Sequence, residues 1–267
     1  MITHRLPLFL IGWAAAALLL GVLYLWQRRT RDATAVDAGW AGAVAGLAVL
    51  YGILGPGDAA HRIAIAIMGG VENLRLAAVL VARIGNGEDS RYRDLRARWA
   101  AKGREQLTFA TFYQAQAAVA VVLSIPFLLA TFDRHHGLQP LAWLGVGIWI
   151  VAAAGEALAD RQLAQFKANP ANKGKTMRYG LWSLSRHPNY FFQTLTWFAY
   201  GLVAVSAPWG WLGFSSYLII LFLVLFVTGI PPAEAASLRS RGDDYRRYQT
   251  ETNAFIPWFP RRKSTPS

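Results

Sequence analysis

The sequence predicts an all-α protein, a polytopic bundle of about seven membrane-spanning helices, and three observations point there. Of its 267 residues 54% are hydrophobic and only 16% charged, where a soluble domain carries about 25% charged residues. The apolar residues gather in stretches close to the ~20 residues that a helix needs to cross a hydrocarbon core. The positive charges sit between those stretches, concentrated in alternate connections. A mean hydropathy of +0.27 excludes disorder and argues against a water-soluble globule. With no long polar segment to fold apart, residues 1–267 read as a single membrane domain ending in a disordered tail over 263–267.

The first stretch, 6–26, has 21 residues without a charge and is followed by Gln27, Arg28, Arg29 and Arg31. It is too long for a signal-peptide core, and its positive flank follows it rather than preceding it, so it reads as a retained helix. Further stretches run over 38–54, 63–82, 107–131, 141–159, 191–205 and 209–230, the shorter ones needing tilt or interfacial neighbours. Lys and Arg between the spans number 3, 7, 6 and 7 in segments 27–37, 83–106, 160–190 and 231–267. The other side has only Arg5, Arg62 and Arg134. That bias sets the amino terminus outside and the carboxyl terminus in the cytoplasm, which requires an odd number of helices.

The chain carries 27 Lys and Arg against 15 Asp and Glu, a net charge of +12. Since the surplus lies mostly on one membrane face and no DNA- or RNA-binding motif accompanies it, nucleic acid is not the expected partner. Membrane lipids are, and Phe255, Ile256, Trp258 and Phe259 beside Arg261, Arg262 and Lys263 suit an aromatic and basic anchor at headgroup level. There is no cysteine, hence no disulfide, thiolate metal site or cysteine nucleophile. The five histidines are scattered apart from His135 and His136, so no metal site is expected.

Two features stand out against the apolar background. Glu72 and Arg75 fall inside the third span, where an isolated charge costs roughly 2.5–3.5 kcal/mol even on insertion scales. At i and i+3 they share a helix face, so they either neutralise each other or line a polar cavity. Thr108, Tyr113, Gln114 and Gln116 in the fourth span, and Gln193, Trp197 and Tyr200 at i, i+4 and i+7 in the sixth, favour a cavity opening toward the cytoplasm. The second feature is GEALADRQLAQFKANPANKGKTMRYG. It places Glu156 and Asp160 one helical turn apart, then gathers Lys167, Lys173, Lys175 and Arg178 around Asn169, Pro170, Asn172 and Gly174. Such donors suit phosphate oxygens, yet no Gly-rich fingerprint follows a strand, so a nucleotide would be held by a different architecture from the soluble doubly wound fold.

From Gly180 the chain reads GLWSLSRHPNYFFQTLTW. This resembles the signature shared by the membrane-embedded steroid 5-alpha-reductase and sterol-reductase superfamily and by the isoprenylcysteine carboxyl methyltransferases. Through GEDSRYRDLRARW, GEALADRQLAQFKANPANKGK, RHPNY and YRRYQTETNAFIPWFP the chain is most similar, over about 37–262, to the bacterial steroid 5-alpha-reductase-like branch of unknown substrate. The resemblance implies a seven-helix enzyme of the bacterial inner membrane that binds NADPH from the cytoplasmic side. Such an enzyme reduces a carbon–carbon double bond, in an enone or alkene, within a lipid-soluble steroid, isoprenoid or fatty-acyl substrate.

By resemblance Asp160, Lys167, Arg186, His187, Asn189 and Tyr190 fall on cofactor-contacting positions; Lys173 and Arg178 join them as phosphate donors of the basic loop, and Gln193 as an amide able to bond a nicotinamide. Arg75, Arg83, Glu88, Asp89 and Arg91 lie on or near the rim of the same pocket, and Glu234, Tyr245 and Tyr248 close over it. Two departures stand out. Relatives have Gly-Glu where this chain has Phe192 and Gln193, and an aromatic residue where it has Glu72. Glu72 is then the candidate proton donor, with Tyr51, Tyr113 and Tyr200 as alternatives. Two other readings stay open: a membrane methyltransferase using S-adenosylmethionine, and a non-catalytic cofactor- or lipid-binding paralogue. The many basic residues of 156–175 suit a multiply phosphorylated cofactor better than a zwitterionic one.

Overall fold

The computed structural model describes residues 1–85 and 87–260; the tail expected to be disordered, and Arg261, Arg262 and Lys263 of the expected anchor, lie outside the described residues. The described residues are helical, with no strand among them. Among the described residues six helical stretches are long and apolar enough to cross a bilayer: α1 (Arg5–Thr30), α2 (Ala35–Leu54), α3 (Ala59–Val81), α5 (Glu105–Leu123), α7 (Pro140–Ala168) and the run Gly210–Glu251. The expected sixth span, 191–205, is α9 (Pro188–Ala204), which has 17 residues and is about 25 Å long at 1.5 Å per residue. It falls short of the ~30 Å of a typical hydrocarbon core.

Local chemistry sets the boundaries. The Asp58 carboxylate accepts from the Ala60 N–H and starts α3, and Asp89 does the same through the Arg91 N–H for the short α4 (Ser90–Ala100), the usual N-cap role. The expected span 107–131 is broken after Leu123, where α6 (Ile125–Ala130) begins. Pro126 has no N–H to continue the ladder from α5. Beyond the four-residue α8 (Leu181–Leu184), α10 (Phe214–Phe222) loosens into one wide turn over Leu223–Val227 before α11 (Ile230–Glu251). Pro231 and Pro232 cause that break: neither can donate to the preceding turn, and both fit the first turn of a new helix.

The chain forms two compact units, Met1–Val146 with Tyr200–Ser216, and Gly147–Ala199 with the chain from Tyr217 onward. In the first, α2 packs along α3 and α1 along α5, around a core containing Leu20, Leu47, Tyr51, Met68, Phe109, Tyr113 and Phe127. The outward positions are apolar as well: Leu18 of α1 is 71% exposed and Ile53 of α2 is 63% exposed. Helices that are apolar all round belong in lipid. In the second unit a small core of Phe166, Met177 and Trp182, flanked by Leu163, supports the loop between α7 and α8.

Candidate functional site

In the second unit the polar residues assemble around the end of α7, the loop 169–180, the start of α9 and the carboxyl half of α11. Local bonds shape the loop. Asn169 accepts from the Ala171 N–H, Asn172 donates to the Phe166 carbonyl at 2.9 Å, and the Trp182 indole donates to the Ala159 carbonyl at 3.0 Å. Two hollows result. One, of about 250 Å³, is lined by Lys167, Arg186, His187, Asn189, Tyr190 and Tyr245 together with Arg241. The other, of about 470 Å³, is lined by Lys167, Lys173, Lys175, Asn169, Asn172 and Arg241. Lys167, Ser237 and Arg241 belong to both walls.

Within this site the sequence-predicted residues divide by task. Lys167, Lys173 and Lys175 are exposed lysines on the walls. Asn189 donates to the Asp160 carboxylate at 3.3 Å, so Asp160 orients it from outside the hollow. His187 stacks on Tyr190 with ring centroids 5.4 Å apart and planes within 7°. Arg186 lines the smaller hollow, but its donors are turned to protein. Nε reaches Glu234 Oε1 at 2.7 Å, and Nη1 reaches the carbonyls of Gln249 at 3.1 Å and Thr252 at 2.6 Å. Glu234 also accepts from Gln249 Nε2 at 2.8 Å and lies 3.4 Å from His187 Nε2.

Arg178 and Gln193 line neither hollow. Arg178 is engaged by Glu251 at 3.0 Å and Asp244 at 2.8 Å, and Gln193 is half-buried on α9. Phe192, the bulky departure, packs on the bare backbone of Gly155 in α7, where a Cβ would come within 2.5 Å of its ring. Arg241 was not among the residues singled out from sequence. Its guanidinium lies over the Tyr245 ring at 5.0 Å and bonds Ser237. The readable signal was the i, i+4 spacing of Ser237, Arg241 and Tyr245 in the tail helix.

The remaining candidates lie in the first unit. Glu72 and Arg75 form the same-face pair, with Oε1 accepting from Nη2 at 2.6 Å and Nε at 3.2 Å. The Tyr200 hydroxyl donates to the Met68 carbonyl at 3.3 Å, whereas the buried Tyr113 hydroxyl has no hydrogen-bond partner among the described residues. Arg83 is exposed at the end of α3. The expected rim residues do structural work here. Glu88 accepts from Arg96 through both oxygens and from the Ala33 N–H, and Arg91 bridges Asp89 and Asp37. Arg96, which also reaches Glu105 at 2.6 Å and Gln27 at 3.2 Å, is the centre of that network and was not foreseen.

Apolar helices with outward-facing Leu and Ile define the class, a helical integral membrane protein, and its second unit carries two hollows lined by cations. The particular family follows from comparison. The model of the family described as "Protein of unknown function (DUF1295)" matches residues 23–252, and the chain belongs to that family. No curated protein and no solved structure matches it.

Proposed function

We propose that the protein is a membrane-embedded, NADPH-dependent reductase of a carbon–carbon double bond in a hydrophobic lipid such as a steroid, isoprenoid or fatty-acyl chain. The observation that carries this reading is the cation set Lys167, Lys173, Lys175 and Arg241 around two hollows that share a wall. None of the four has an ion-pair partner among the described residues. The donor set fits the group. Several phosphate charges need several uncommitted cations, and the hollows lie in the size range of small-molecule sites, about 300–1,000 Å³, when taken together. The GLWSLSRHPNYFF segment that forms one wall is also the one resembling the steroid 5-alpha-reductase group.

NADPH, when bound, supplies the hydride. The lysines and Arg241 neutralise its phosphates, and Asn189, held by Asp160, offers an amide to the ribose or nicotinamide end. The stacked His187 and Tyr190 supply a flat face, and Arg186 acts as a positioning residue that ties α11 and the chain after it to the start of α9. The proton-donor candidates belong to the first unit, where the Tyr51 and Tyr113 hydroxyls have no hydrogen-bond partner among the described residues, Tyr200 donates to a carbonyl and Glu72 accepts from Arg75. The reading includes α9 as a short seventh span, the amino terminus outside, and the hollows on the cytoplasmic side of a bacterial inner membrane. The lipid substrate enters from the bilayer.

The test is calorimetry on the detergent-solubilised full chain with NADPH, NADP and S-adenosylmethionine. Saturable NADPH binding, weakened on the order of tenfold or more by Arg241→Glu or Asn189→Ala, is expected. Tyr113→Phe should then leave binding intact and lower turnover of a lipid enone by roughly 10²–10⁴. Binding of S-adenosylmethionine in place of NADPH would transfer the site to methyl transfer, and NADPH binding without turnover of any enone or alkene would leave a non-catalytic binder.

A further inference from the structure

We propose that the first unit carries a second anion site, a phosphate-binding hollow at the amino-terminal end of α1, far from the basic loops that flank the other end of that helix. With 26 residues, α1 is about 39 Å long, so Arg5 and Arg28 are separated by roughly a membrane thickness. The hollow, about 920 Å³, lies between the start of α1, the turn after α6 and residues 206–208. Arg5, Arg134, His4 and His135 stand on its wall with the apolar side chains of Leu6 and Phe132.

The cations of this hollow are held ready and are not neutralised. Arg5 is fixed by a bond from Nη2 to the Pro208 carbonyl at 3.0 Å and by its guanidinium lying 5.4 Å from the Phe132 ring centroid. Its Nε is buried without a hydrogen-bond partner among the described residues. Arg134 is exposed, and among the described residues neither arginine has a carboxylate at ion-pair distance. Asp133, next in the chain to Arg134, is fully buried, its oxygens taken by Ser206, by the His135 N–H and Nδ1, and by His61 at 3.4 Å.

Two forked guanidiniums facing an open hollow match the oxygens of a phosphate group. Trp209 and Trp211, both largely exposed and next in the chain after Pro208, carry the signature of the membrane–water interface. The ligand class is therefore a phosphate-bearing anion, supplied either as an anionic lipid headgroup or as free phosphate.

The experiment uses the full chain in phosphatidylcholine nanodiscs, titrated calorimetrically with dihexanoylphosphatidylglycerol and, separately, with inorganic phosphate. Saturable binding is expected that weakens roughly tenfold in Arg134→Ala, weakens further in Arg134→Glu and is largely kept in Arg134→Lys. Arg134 makes no ion pair among the described residues, so these variants are expected to leave the fold intact, which circular dichroism checks. Binding of the lipid alone assigns the headgroup as the source. Binding of inorganic phosphate with the same dependence on Arg134 assigns free phosphate. Binding of neither, or binding indifferent to both Arg134→Ala and Arg5→Ala, overturns the proposal.

Discussion

Glu234 shows how much one carboxylate organises in the second unit. It lies beyond the apolar stretch, on the first turns of α11, and receives Arg186, Gln249 and, at longer range, His187. Arg186 in turn holds the carbonyls of Gln249 and Thr252. Removing the charge leaves a largely buried guanidinium with half its partners, so Glu234→Gln is expected to cost about 3 kcal/mol of stability. Thermal unfolding in detergent and faster proteolysis after Glu251 would measure it.

At the scale of elements, the contact between α7 and α9 turns a sequence anomaly into packing. The bulk of Phe192 fills the space left by Gly155, so the two positions should be read as a pair. Gly155→Ala overpacks that contact and should cost about 1–3 kcal/mol, and Phe192→Ala in the same chain should recover most of the loss. A double-mutant cycle on unfolding midpoints reads the coupling, and additive effects would show that Phe192 rests elsewhere. The kink inside α11 at Gly242, φ 52° and ψ −125°, is a backbone state that glycine alone adopts readily. Beyond it Tyr248 donates to the Trp182 carbonyl in α8 and to the Ser185 carbonyl that follows it. The first unit shows the same economy: α4 presents Tyr92 and Trp99 to the rings of Phe109 and Phe112, while Arg96 ties it to α1 and α5.

For the whole molecule the dominant fact is apolar surface on both sides of the helices. Leu18, Ile53, Val71, Leu74 and Phe226 all point outward, and water would oppose each at about 25 cal/mol per Å². The protein is therefore expected to stay in the membrane pellet after an alkaline carbonate wash and to precipitate when detergent is removed. Release into the supernatant would contradict the membrane reading.

The helical, lipid-facing architecture was legible from the sequence because length and apolarity act locally. A stretch of about 20 apolar residues satisfies its own backbone as a helix wherever it lies in a bilayer. The same holds for the Glu72 and Arg75 pair, whose spacing alone brings them together, and for the basic loop of 160–190. What only tertiary structure decided is how each charge is spent. Arg186 and Arg178, alike in sequence to Lys167 and Arg241 as free cations, are consumed by Glu234, Glu251 and Asp244, which stand 48 to 73 residues away. Glu88 is engaged by Arg96 and the Ala33 N–H, and Asp89 by Arg91. A cation's availability depends on which carboxylates the folded chain brings within about 4 Å, and that distance is set by packing between elements, which no local pattern encodes.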